Sequence, residues 1–291
     1  MALKSCGIVG VGLMGGSLGL ALRARGIDVA AMDANPASLQ TALAAGAADR
    51  AGAHPSILAN ADLVVLCTPP GAIVSVAASV IPHLKSGCLL SDFASVKSAV
   101  VGPLEAQLPS ALRYLGLHPM CGTAGQGIEA ARKDLFAGAV LIATPTSRTA
   151  PSALEEISQL ARLLEMRLVR LGPEEHDWRV AMLSHLPYLF SVALTRLAPG
   201  FDCAGPSFQD ATRVAKSPPA LWEQILSLNG AQVSSSVELI CAELAHLAGL
   251  RGEALERALE DARQLRSNWE RSISAVAVGA DPAADAGKGR S

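Results

Sequence analysis

The stretch that most restricts how this 291-residue chain can fold runs from Ser5 to Asp33, SCGIVGVGLMGGSLGLALRARGIDVAAMD. A short apolar run containing Cys6, Ile8 and Val9 stops at Gly10-Val11-Gly12-Leu13-Met14-Gly15, which fits G-x-G-x-x-G. In a strand, turn and helix unit the first glycine permits the tight turn and the second lets a pyrophosphate approach the backbone. The third lets the helix pack closely on the strand. The helix beginning there aims free N–H groups and the positive end of its dipole at that pyrophosphate. The pattern is helical from Ser17 to Arg25, and Gly26 stops it. A second run, Val29 to Met32, ends in Asp33, eighteen residues beyond Gly15. A carboxylate there accepts from the ribose hydroxyls of NAD and repels the 2′-phosphate of NADP; the alternative is a cap for the turn Ala34-Asn35-Pro36. The stretch predicts NAD as cofactor, with NADP less favoured, held by Gly10, Gly12, Leu13, Met14, Gly15 and Asp33.

Half of the residues are hydrophobic but only 3% are aromatic, so the core must be built from Ala, Leu and Val. A net charge of −2 gives no footprint for nucleic acid or an anionic membrane. The six cysteines are scattered, with no C-x-x-C pair, and read as core residues of a reducing compartment, neither disulfides nor a metal site. No uninterrupted apolar segment approaches the roughly eighteen residues of a membrane span, and the expected location is cytoplasmic.

Strand patterns alternate with helical ones down the chain. Helices are expected over Pro36 to Ala45, Ala72 to Leu84, after Lys97 to Leu108, and Ser152 to Glu165. Strands are expected over Ala61 to Cys67, Cys88 to Leu90, Arg113 to Leu117, Gly138 to Thr144 and Arg167 to Leu171. Such alternation implies an α/β fold with a parallel sheet and right-handed crossovers. The glycine turn, Asp33, Thr68, Ser95 and His118 then fall just past the carboxyl ends of strands, the edge where open α/β sheets bind ligands. Thr68 and Pro69 join the cofactor candidates on that ground. After Gly172-Pro173 only long helical patterns remain: Glu175 to Leu197, Ala220 to Leu247 and Glu253 to Ala275. The organisation expected is a nucleotide domain over 1–172, an all-helical domain over 173–275 and a disordered tail over 276–291. Helices with nearly pure Ala/Leu/Val faces suit a homodimer.

His118, in LHPMCGTAGQGIEAARKDLF, is either a general base on a glycine-rich loop or a loop histidine bonded to backbone. Ser95, in DFASVK, hydrogen-bonds a substrate hydroxyl or caps the helix after it. Lys97 pairs with Asp92 or with substrate. Pro187 interrupts a helix and kinks it, and Ser184, His185 and Tyr188 share one side of that kink, as a buried cluster or a pocket wall. His176 and Asp177, at the helix start, read as capping residues. Arg213 lies in a loop framed by Gly205-Pro206 and Ser217-Pro218-Pro219, where it meets a substrate carboxylate or pairs with Asp210.

Together GVGLMGGSL, CTPP, DFASVK, HPMCGTAGQGIEAA, HD before SHLP, and FQDATR with LW and N beyond resemble the prephenate/arogenate dehydrogenases of tyrosine biosynthesis, from the glycine turn to about Asn229. The resemblance implies a Rossmann-like NAD(P) domain followed by an all-α dimerisation domain. It implies oxidative decarboxylation of a cyclohexadienol, with Ser95 and His118 at the C4 hydroxyl and Arg213 on a carboxylate. Thr123 and Gln126 join Tyr188, Ser184 and His185 as substrate candidates, and no metal is needed. Prephenate-type members usually have Glu where Ala124 stands and a second histidine where this chain has Tyr188, so the resemblance leans to the arogenate type. The rivals are a 3-hydroxy-acid dehydrogenase, which typically uses a helical-domain lysine, and a non-catalytic NAD sensor. Lys216 is the only lysine between Lys133 and Lys288.

Overall fold

The computed structural model describes residues 3–123 and 125–277, with side chains as far as Arg271. Ala124 and, beyond Ala277, the expected tail lie outside the described residues. The first part comprises β1 (Ser5–Val9), α1 (Leu13–Arg23), β2 (Asp28–Met32), α2 (Pro36–Ala44), β3 (Arg50–Gly52), β4 (Leu63–Leu66) and α3 (Ile73–Val80). It continues through β5 (Leu89–Asp92), α4 (Ser98–Gln107), β6 (Arg113–Met120), β7 (Val140–Thr144), α5 (Pro151–Leu163) and β8 (Arg167–Arg170). The strands form one sheet in the order β3-β2-β1-β4-β5-β6-β7-β8.

Side chains alternate across the central strands. Cys6, Ile8, Leu63, Val65 and Leu89 enter one buried cluster, while Val9, Val64, Leu66 and Leu90 enter the other. Both faces are covered, which is why these strands read as unbroken apolar runs. Each fully buried aliphatic side chain contributes roughly 1.5 to 3 kcal/mol.

The sheet departs from the expected all-parallel form at one place. β6 and β7 pair antiparallel, so β7 and β8 run against the other six strands. A parallel return needs a crossover, usually helical; among the described residues between β6 and β7 the helical structure is a 3-10 turn, Ile128–Ala130. β3 was not expected either. Arg50-Ala51-Gly52 is half-buried at the sheet edge, with no apolar run to announce it, and Arg50 bonds the Asp28 carboxylate at 2.7 Å. α1 opens at Leu13, inside the glycine motif, four residues before its helical pattern becomes legible.

From Pro173 every described element is helical: α6 (Pro173–Val180), a π-turn at Ala181–His185, α7 (Leu186–Leu197), α8 (Pro206–Thr212), α9 (Pro219–Leu228), α10 (Gly230–Gly249) and α11 (Gly252–Ala277). The helix expected over 175–197 is divided because Pro187 has no N–H for the carbonyl of Leu183, and the preceding turn widens. The expected loop before Arg213 is α8, begun by Pro206 at a helix-starting position and followed by a 3-10 turn, Arg213–Lys216. α6 to α9 belong to the first compact unit, Met1–Ser234; the second, Ser235–Ser291, holds the rest of α10 and α11.

Taken as one run, Pro173–Leu197 has the length and composition of a membrane span, although polar residues interrupt its apolar stretches throughout. Two of its side chains nevertheless bond the sheet part of the chain: Asp177 accepts from the backbone of Lys97 and Ser98 at the start of α4, and His176 meets His118 on β6.

Candidate active site

Val9, Met32 and Leu66 stand in register at the carboxyl edge of β1, β2 and β4. Gly10 follows with φ +90°, and a Cβ there would lie 3.0 Å from the Cys67 carbonyl and the Thr68 nitrogen, so only glycine makes this turn. A Cβ at Gly15 would fall 2.0 Å from the Gly10 oxygen, so the helix rests directly on the turn. At Gly12 a Cβ would meet nothing within 4 Å, which leaves the middle of the turn open to a ligand. Leu13 and Met14 begin α1 with neither a side-chain cap nor an acid in the first turn.

Asp33 accepts from Val11 N on Oδ2 and from Asn35 N on Oδ1, both at 2.8 Å. It thus binds the glycine turn to the end of β2, while Asn35 caps α2 through Ala37 N at 3.0 Å. Each Asp33 oxygen retains a lone pair for a ribose hydroxyl. Thr68 Oγ1, beside Pro69, is buried without a hydrogen-bond partner among the described residues. A bare cradle, uncapped amides, an acid at the strand end and an unsatisfied buried hydroxyl fit NAD.

His118 lies inside β6 rather than on the loop after it, because β7 pairs alongside as far as Met120 and Val140. It stands two residues past Gly116, where pairing with β5 ends. Its Nδ1 is 2.8 Å from His176 Nε2, and His176 Nδ1 is 2.8 Å from Asp177 Oδ1. The Asp177 carboxylate also accepts the backbone N–H groups of Lys97 and Ser98 at 2.8 Å. His176 and Asp177 therefore do not cap their own helix, which starts at Pro173 after Gly172. Asp177 caps α4, some eighty residues earlier, and orients His176.

Proton positions along this chain follow from charge. Burial opposes an ionised Asp177, yet bonds from His176, Ser98 and Lys97 outweigh it and hold the carboxyl below its ordinary value. An ionised carboxylate only accepts, so His176 Nδ1 carries a proton. Burial lowers the pKa of His176 despite the bond to Asp177, so its neutral ring offers a lone pair at Nε2. His118 Nδ1 must then donate, which leaves His118 Nε2 unprotonated. Burial, and after it the neighbouring His176, Lys97 and His185, push His118 well below the ordinary histidine value. The result is a neutral imidazole with one defined acceptor nitrogen.

Ser95 is half-buried in the turn between β5 and α4, and its hydroxyl bonds no other described residue. Asp177 takes the α4 amides, so Ser95 is not the cap. Asp92 holds this turn from beneath, accepting Ala94 N at 2.8 Å, Lys97 Nζ at 2.5 Å and Tyr114 OH at 2.6 Å. Lys97 is wholly buried and pairs with Asp92, not with a ligand; burial lowers its pKa against the pull of that pair.

His185 is buried, 3.3 Å from the Asn229 amide nitrogen, which also donates to the Asp177 carbonyl at 2.9 Å. Burial holds its pKa at about 4. Tyr188 stacks on Trp222 with ring centroids 3.8 Å apart and planes 2° from parallel, and His185 meets the same indole edge-on at 6.0 Å. Ser184 is half-buried. Arg213 is exposed and forms no ion pair with Asp210 or any other described residue. Thr123 and Gln126 are exposed on the segment after β6, Thr123 Oγ1 accepting Gly125 N at 3.2 Å. No hydrogen bond joins Arg213, Thr123 or Gln126 to the histidine chain. Reading the sequence missed Trp222 and Asn229 as neighbours of Tyr188 and His185; their only signal was the LW and N that follow the TR motif.

Residues 18–170 match the nucleotide-binding domain of prephenate dehydrogenase, and residues 172–260 match its dimerization domain. Prephenate dehydrogenase of Bacillus subtilis is 31% identical over 236 residues, covering 76% of this chain and 63% of that protein, so the chain spans somewhat under two thirds of this relative's length. The crystal structure of Synechocystis arogenate dehydrogenase is 31% identical with a TM-score of 0.81, covering 91% of this chain and all of that one. Prephenate dehydrogenase from A. aeolicus, solved with hydroxyphenyl propionate and NAD+, is 29% identical with a TM-score of 0.86, covering 92% and 99%. With a nucleotide-binding half and a dimerization half matched in order, and a glycine turn at the sheet edge whose geometry fits a dinucleotide, the chain belongs to the prephenate dehydrogenase family.

Proposed function

We propose that this protein is an arogenate dehydrogenase, which oxidises arogenate with NAD, losing hydride from ring C4 and CO2 from C1 to give tyrosine. The observation that carries the reading is His118: a neutral imidazole whose bare nitrogen is fixed through His176 and Asp177, on the strand edge that also bears the glycine cradle. NAD, held by Gly10 to Gly15 and Asp33, supplies the hydride acceptor. His118 Nε2 takes the proton of the C4 hydroxyl, and the uncommitted hydroxyl of Ser95 positions that group. As CO2 leaves, the electron pair of the C1–carboxylate bond enters the ring and aromatises it, and the proton held at His118 Nε2 returns to the phenolate oxygen to complete tyrosine, so orientation and a single base are the main demands on the protein. Arg213, exposed and unpaired, anchors a carboxylate, and Thr123, Gln126 and Ser184 complete the contacts. The enzyme works as a homodimer, through the helices that expose Leu239, Leu244, Leu259, Leu265 and Trp269. Its six unpaired cysteines support a place in the reducing cytoplasm.

Arogenate carries an ammonium on its side chain where prephenate carries a ketone, and a cation nearby would repel it. His118, His176 and His185 are all held below their ordinary pKa values, and Tyr188 stands where prephenate-type members have a second histidine. Trp222 covers one face of Tyr188, leaving its hydroxyl as the group that can accept from an ammonium. The names of the relatives support prephenate as a second reading. NADH formation with the two substrates side by side tests the choice. We expect kcat/KM for arogenate to exceed that for prephenate by at least about tenfold, the roughly 1.4 kcal/mol of one polar contact, with Tyr188→His narrowing the gap. Equal or reversed values mean a prephenate-using or dual-substrate enzyme. NAD binding without NADH from either substrate means a sensor.

A further inference from the structure

The nucleotide motif is complete at Gly15, yet the next two residues of α1 are also committed. A Cβ at Gly16 would lie 2.2 Å from Ile128 Cδ1 and 3.0 Å from Ala131 Cβ. Ser17, wholly buried, accepts the backbone N–H of Arg132 on Oγ at 2.9 Å. Ile128 is itself buried in the same core cluster as Leu18, and the 3-10 turn it begins is entered through Gly127 at φ +72°. The chain that leaves β6 at Met120 and returns in β7 at Val140 is thus fastened midway, and it is fastened to the helix that opens with uncapped amides at the glycine turn.

We propose that Gly16 and Ser17 are positioning residues for the substrate side of the site: they fix the segment after β6 to the cofactor helix and so set where Thr123 and Gln126 stand relative to the bound dinucleotide. This rests on the dehydrogenase reading above. Pyrophosphate binding requires neither a bare Cα at position 16 nor a hydroxyl at 17, because Gly12 provides the open approach and Gly15 the helix packing. What the two residues touch is the returning segment. A loop anchored on the sheet alone would leave its polar side chains free to shift against the cofactor. Anchored on α1, it shares one rigid body with the pyrophosphate seat.

Three variants test the proposal. Ser17→Ala deletes the acceptor, Gly16→Ala drives a methyl into Ile128 Cδ1, and Ile128→Val in the Gly16→Ala background removes the atom it strikes. Amide hydrogen exchange over residues 121–132, KM and kcat with arogenate and with prephenate, and the NAD dissociation constant are measured for each. In both single variants, exchange over the segment should accelerate about tenfold or more and KM for the cyclohexadienol should rise about fivefold or more, with NAD affinity within about twofold of the parent. The added Ile128→Val should restore both exchange and KM. Where Gly16→Ala folds poorly, Ser17→Ala carries the test. Unchanged exchange, faster exchange with unchanged KM, or KM and NAD affinity weakening together overturns the proposal. Should the parent protein form no NADH from either substrate, the dehydrogenase reading fails, while the exchange measurement still decides whether Gly16 and Ser17 fasten the segment.

Discussion

His118 Nδ1 and His176 Nε2 stand 2.8 Å apart although 58 residues separate them in the chain. That contact, with Asp177 behind it, decides which nitrogen of His118 is bare. Burial and its neighbours hold the His118 pKa well below the ordinary 6.5. The imidazole is therefore unprotonated at neutral pH, and if it serves as the proposed base, kcat should stay level through neutrality and fall only as pH drops through that depressed value. His118→Asn should lower kcat by about two to four decades with little change in NAD affinity. An acid limb at or above 6.5 in the pH profile, or near-normal kcat in the variant, would remove His118 from this role.

Asp177→Asn removes the charge that keeps the His176 proton on Nδ1 and weakens the cap on α4. We expect kcat to fall about ten- to hundredfold, and stability to fall by about 1 to 2 kcal/mol. The folded pKa of Asp177 lies below the unfolded value near 3.8. Its stabilisation is thus complete above that value and is lost as pH falls through the folded pKa. Urea unfolding of parent and variant should therefore converge in acid, and a constant difference from pH 7 down to pH 2 would contradict the assignment.

His185 titrates at about 4 in the fold against 6.5 in the open chain. Between those values the unfolded state binds the proton and the native state does not, so stability should decline as pH falls from 6.5 to 4. The full loss for a gap of this size is on the order of 3 kcal/mol. His185→Gln, which cannot titrate, should flatten that part of the stability curve measured by urea unfolding; an unchanged slope would place the lost stability elsewhere.

Gly12→Ala and Gly15→Ala should part company. The first adds a methyl with no protein atom within 4 Å, so the melting temperature should hold while NAD affinity drops about tenfold or more. The second meets the Gly10 oxygen at 2.0 Å and should destabilise the fold itself. Calorimetry paired with NAD titration distinguishes the two, and equal melting temperatures would show that α1 can shift off the turn.

Asp33→Asn keeps an acceptor for one of the two amides that Asp33 binds and removes its charge. Preference should move toward NADP by about 1 to 3 kcal/mol, read as the ratio of kcat/KM for the two cofactors. A parent enzyme that already favours NADP would show that Asp33 serves only the turn.

Much of this was legible in the sequence, and what was not has physical causes. The glycine turn and the central strands could be read because a ligand-binding turn and a sheet buried on both faces leave dense local patterns. β3 could not, since Arg50-Ala51-Gly52 takes its structure wholly from pairing with β2. The reversal of β7 depends on what the preceding segment fails to form. His118 read as a loop residue because the strand that extends β6 past it lies more than twenty residues downstream. His176 and Asp177 looked like caps because their partners, His118 and the α4 amides, are distant in sequence. The stack of Tyr188 on Trp222 joins two helices and has no periodicity to betray it.

Asp177 has one further consequence, which concerns time. A nascent chain leaves its synthesis N-terminus first. The glycine cradle, Asp33 and the strand bearing His118 can all be in place before residue 177 has been added, and α4 then still has uncapped amides at its start. The carboxylate that finishes α4 also bonds His176, so neither the cap nor the pairing of His118 with His176 and Asp177 can form until residue 177 has been added.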